Sequence, residues 1–117
     1  PSLVGVDPDR KGVELAQKCM SRVPNDSYVA AVKCLVEFEG RDHLPFIAVP
    51  TLVLAGENDS NAPVSMMKKM AQKIPGAEFT VIPGAGHLAP MGHPDKFNHA
   101  VLDFLARHAY KSDINQA

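Results

Sequence analysis

Three observations make this chain an α/β protein built on parallel strands. "TLVLA" (51–55) and "AEFTVI" (77–82) are short, nearly continuous apolar runs with β-branched residues. Such runs suit strands buried on both faces of a parallel sheet. Each run leads through an unusual loop to a helical pattern opening on a proline, Pro63 or Pro94, a residue favoured in a helix's first turn. The order β-α-β-α, after a helical first stretch of about 40 residues, predicts neighbouring strands joined by a right-handed crossover.

Asp7 and Pro8 supply a plausible cap and first turn for a helix over about 9–22. Val13, Ala16, Met20 and Val23 fall on one side of it, at helical spacing. "VPND" breaks the pattern. A second helix over about 26–38 carries Tyr28, Val32, Leu35 and Phe38 and is apolar over a wide arc, which calls for cover by other parts of a protein. Gly40 ends it.

Pro50 blocks a helix before the first strand, and the polar loop Glu57–Ala62 follows that strand. A helix over about 63–74 should bury Met67, Met70, Ala71 and Ile74, leaving Lys68, Lys69 and Lys73 on its wet face. Pro75-Gly76 stops it ahead of the second strand. The helix from Pro94 should turn Phe97, Val101, Phe104 and Leu105 inward.

Composition narrows the function classes. The 117 residues are 45% hydrophobic and 21% charged, with net charge −1, as in an ordinary globular domain with a real core. That balance gives no electrostatic footprint for nucleic acid or an anionic membrane. No apolar run approaches the roughly 18 residues of a membrane span. The opening "PSLVGVDPDRKG" lacks the basic start and apolar stretch of a secretory signal. Cys19 and Cys34 form no disulfide framework and read as reduced, packed thiols of a cytoplasmic protein.

The loops carry the chemistry. In open α/β sheets, functional groups gather beyond the carboxyl ends of the strands. "GENDSNAP" and "PGAGHLAP" both occupy that position, so neighbouring parallel strands place them side by side. A carboxylate from one, Asp59 or Glu57, can then orient the His87 imidazole from the other. Gly84 and Gly86 admit the sharp bend and close backbone approach that this placement requires.

"VPTLVLAGENDSNAP", "VIPGAGHLAP" and "FNHAVLDFL" closely resemble the C-terminal part of α/β-hydrolase-fold enzymes, especially the enol-lactonase and esterase-like branch. The resemblance implies that Asp59 is the triad acid and His87 the triad base, with Glu57 a loop neighbour. It implies a division into a helical cap remnant, residues 1–45, and the last two β-α units of the core, residues 46–117. The implied activity is hydrolysis of a small ester or lactone. Relatives with an aspartate nucleophile, which open epoxides or displace halide, use the same two loops. Gly92 stands where relatives often carry an acid.

The nucleophile elbow G-x-S-x-G is absent, since no two glycines are spaced four apart. Ser2, Ser21 and Ser27 lie upstream of Asp59 in helical or loop-like settings. The chain therefore reads as the back part of an enzyme, inactive by itself, that joins a missing N-terminal piece or associates as a homo-oligomer through its exposed sheet edge. A non-catalytic module associating through that edge is the alternative from another class. No cofactor is expected. Gly84, Gly86 and Ala89 match G-x-G-x-x-A, but Pro90 interrupts the phosphate-binding helix. His87, His93 and His99 are spaced by six, which separates them around a helix and argues against a metal site.

Overall fold

In chain order, the computed structural model describes residues 2–109. They form α1 (Arg10–Met20), α2 (Asn25–Glu37), a 3-10 helix (Arg41–Phe46), β1 (Leu52–Gly56), α3 (Val64–Lys73), β2 (Glu78–Ile82), α4 (Ala89–Gly92) and α5 (Pro94–Ala109). β1 and β2 pair in parallel, with Leu52 opposite Glu78 and Gly56 opposite Ile82.

Alternation along the strands gives the sheet two apolar faces. On one, Val53 and Phe79 pack with Met67, Met70, Ala71 and Ile74 of α3 and its C-cap. Leu44 of the 3-10 helix and Ile47 close the edge of that cluster. On the other, Leu54 and Ile82 pack with Ala85, Ala89 and Phe97 of α5. A helix on each face is the arrangement a parallel sheet needs, because both of its faces must leave water.

The helices start and stop for local reasons. Asp9, two residues later than Asp7, caps α1 by accepting from the Gly12 N–H at 2.7 Å. Asp7 instead sits at φ 47°, in the left-handed region that short polar side chains tolerate. Pro24 and Pro63 precede α2 and α3, where a missing N–H is no loss.

Several expectations need correction. Cys19 and Cys34 are free but exposed, not packed. No residue of α2 is buried, and Met20 and Val23 are exposed too. Leu105 faces solvent at the rim of α5, while Phe97, Val101 and Phe104 are partly buried. The 3-10 helix and α4 are additions to the elements read from sequence.

Candidate active site

The ladder between the strands continues into the loops beyond them. The Glu57 N–H donates to the Ile82 carbonyl at 3.1 Å, and the Asn58 N–H donates to the Ala85 carbonyl at 2.8 Å. Two loops that are 28 residues apart in sequence are thereby zipped together at the carboxyl end of the sheet. Gly84 makes the turn in the second loop with φ +77°, a conformation that costs a side chain but not glycine. Its N–H donates to Glu57 Oε2 at 2.8 Å, so Glu57 staples the two loops and does not reach the histidine.

Asp59 and His87 meet across this junction. His87 Nδ1 lies 2.9 Å from Asp59 Oδ2. The other carboxylate oxygen, Oδ1, accepts from the Asn61 N–H at 2.8 Å and from the Ala62 N–H at 3.0 Å. The Asp59 side chain is only 7% exposed, while His87 is 44% exposed. The acid is therefore fixed inside and the ring presents its far edge outward. Burial pushes the Asp59 carboxyl up, but bonds from the Ala62 N–H, the His87 ring and the Asn61 N–H outweigh it. The carboxyl is held below its ordinary value and remains a carboxylate.

A carboxylate can only accept, so the proton between the pair belongs to Nδ1 of the neutral ring. Nε2 then carries a lone pair, and it makes no hydrogen bond among the described residues. Such an arrangement can draw a proton from a hydroxyl on the exposed side and hold the resulting positive charge against Asp59.

Sequence reasoning missed two participants. The segment Ser2–Asp9 lies along the histidine loop, with the His87 N–H donating to the Ser2 carbonyl at 2.9 Å. His93 donates from Nε2 to the Val6 carbonyl at 2.9 Å and so joins the same contact, while His99 lies exposed on α5. At Gly92 the Val4 carbonyl lies against bare backbone. Among the described residues, no three His, Cys, Asp or Glu side chains cluster as metal ligands. No helix among them is long and apolar enough to cross a membrane.

The strand-loop-helix units are those of one fold family. The family model for the alpha/beta hydrolase fold matches residues 10–94, and the chain belongs to that family. A 2-hydroxy-6-oxononadienedioate/2-hydroxy-6-oxononatrienedioate hydrolase of Pseudomonas is 41% identical over 64 residues, 55% of this chain and 23% of that one. The solved structure of a thermophilic esterase from Thermogutta terrifontis superposes with a TM-score of 0.58 at 43% identity, covering 59% of this chain and 26% of that one. That of an N-acyl homoserine lactone-degrading enzyme gives 0.52 at 41% identity, covering 55% and 25%. The chain thus spans about a quarter of the length of each of these proteins.

Proposed function

We propose that these 117 residues supply the acid and base of a hydrolase acting on a small ester or lactone. The observation that carries the proposal is the Asp59–His87 pair, 2.9 Å apart, with the acid buried and the ring exposed. The likeness to an esterase and a lactone-degrading enzyme supports the substrate class. In this reading α1 and α2 belong to the cap over the substrate, and residues 46–117 belong to the core.

In this reading the steps run as follows. A serine hydroxyl from outside this sequence approaches His87 Nε2, which takes its proton as the oxygen attacks the substrate carbonyl. Asp59 holds the ring in the Nδ1–H tautomer and stabilises the imidazolium. His87 Nε2–H then returns the proton to the leaving alcohol, and the same cycle with water releases the acid. The nucleophile elbow also contributes oxyanion donors in such enzymes, so an acid-histidine pair alone gives a base without an electrophile site.

Hydrolysis of p-nitrophenyl acetate tests this. The isolated chain should give no saturable rate above that of free imidazole. Joined to a segment carrying G-x-S-x-G, it should turn over, and His87→Ala should then lower kcat by about a thousand-fold or more. Turnover that survives His87→Ala in the joined protein would remove the base assignment. A saturable rate in the 117-residue chain that disappears in His87→Ala would show the chain to be an enzyme alone.

A further inference from the structure

The histidine loop is gripped from outside by a segment with no regular secondary structure. His87 N–H donates to the Ser2 carbonyl at 2.9 Å, and Leu88 N–H donates to the Leu3 carbonyl at 2.7 Å. Val6 N–H donates to the Gly84 carbonyl at 2.7 Å, and Asp9 N–H donates to the Gly92 carbonyl at 2.6 Å. The segment thus bonds the loop at its entry, at the histidine itself and at its exit. His93 adds a side-chain bond to the Val6 carbonyl at 2.9 Å.

The fit is close because side chains are missing where the backbones meet. A Cβ on Gly86 would lie 2.6 Å from the Ser2 carbonyl oxygen, and one on Gly92 would collide with the Val4 carbonyl oxygen. Gly92 lies in α4 without a positive φ. Its lack of a side chain therefore serves the approach of the segment and not the helix that contains it.

We propose that residues 2–9 are a positioning strap for His87, fastened by His93. The proposal rests on the reading of His87 as general base. Its physical content is narrower: the strap fixes the histidine backbone on both sides, and Asp59 fixes the ring. With both anchors made, Nε2 has one direction in which to point, which is the condition for efficient proton transfer. Asp9 ends the strap and caps α1, so the placement of that helix and of the base are set by one piece of chain.

Nuclear magnetic resonance on the 117-residue chain tests the strap without requiring turnover. In the wild type, a Ser2-to-His87 proton contact should be seen. The His87 and Leu88 amides should exchange at least about ten-fold more slowly than unbonded loop amides. Gly92→Ala, which leaves no room for Val4, should abolish that protection while β1 and β2 keep theirs. It should also turn the sharp Nδ1–H signature of the His87 ring into an averaged one. Should Gly92→Ala unfold the chain, the His93 variants decide. His93→Gln, whose amide can still donate to Val6, should keep the ring signature, and His93→Ala should lose it. A missing Ser2-to-His87 contact in the wild type overturns the proposal, as do unchanged His87 signals in His93→Ala. Absence of esterase turnover in the joined protein would instead reject the hydrolase reading and leave these signals as they are.

Discussion

One oxygen of Asp59 closes a turn on the Asn61 and Ala62 amides while the other faces His87. The turn keeps the carboxylate from rotating away, so the residue orients the ring by being oriented itself. Residue types alone left Asp59 and Glu57 as equal candidates, because both lie in one acidic loop. Their separation depends on which carboxylate turns inward, and that is decided by the amide of Gly84, 27 residues from Glu57. The pH dependence follows from Asp59's lowered folded-state value. A depressed carboxyl contributes stability that is present above its ordinary value of 3.8 and is lost as pH falls through the lower folded value. Asp59→Asn keeps an acceptor for the two amides but cannot ionise. Thermal melts from about pH 6 down to about pH 2 should therefore show a shallower acid decline in Asp59→Asn than in the wild type. Parallel declines would mean that this carboxyl is not linked to folding.

At the scale of elements, both strands and the four long helices, α1, α2, α3 and α5, stand within a few residues of where their patterns put them. Hydrophobic periodicity over ten residues or more is a strong signal, and the prolines mark the starts. The 3-10 helix and α4 were not legible, being only six and four residues long, and Pro45 inside the former reads as a breaker. The strap was invisible for another reason: apart from the bond from the His93 ring, it is held backbone to backbone, and backbone partners leave no mark in side-chain identity. Inward and outward positions on a helix are also blurred at the edge of its apolar arc, which is how Leu105 was misplaced. Ile82 is 2% exposed and Leu105 is 47% exposed, and the two make a paired test. Ile82→Ala should cost about 2–5 kcal/mol in urea unfolding, with Ala85, Ala89 and Phe97 left around a void. Leu105→Ala should change stability by less than about 1 kcal/mol. Equal losses at the two sites would mean that the packing against α5 is not as described.

For the whole molecule, the features that make the site also leave the fold open. Among the described residues the sheet has two parallel strands, each with an unpaired edge, and such sheets ordinarily sit inside larger ones. α2 holds Tyr28, Val29, Val32, Leu35 and Val36 exposed, the last two at 74% and 80%. The radius of gyration is 16.5 Å, against about 13 Å for a compact domain of this length. Exposed apolar area favours association at roughly 25 cal/mol per Å² removed from water, before the cost of immobilising the partners. The wide apolar arc of α2 was legible as a demand for cover, but residue pattern cannot say what supplies that cover. The expected outcome is that the isolated chain does not persist as a dispersed monomer. Sedimentation velocity should show species larger than 12.6 kDa, and a hydrophobic dye should bind to whatever monomer remains. Leu35→Glu with Val36→Glu should shift the distribution toward monomer, since a charge in an apolar contact must be desolvated. The same pair should leave the Asp59–His87 signals unchanged, because α2 buries nothing against the described core. A wild-type chain that sediments as a stable monomer and binds little dye would show that these surfaces need no cover.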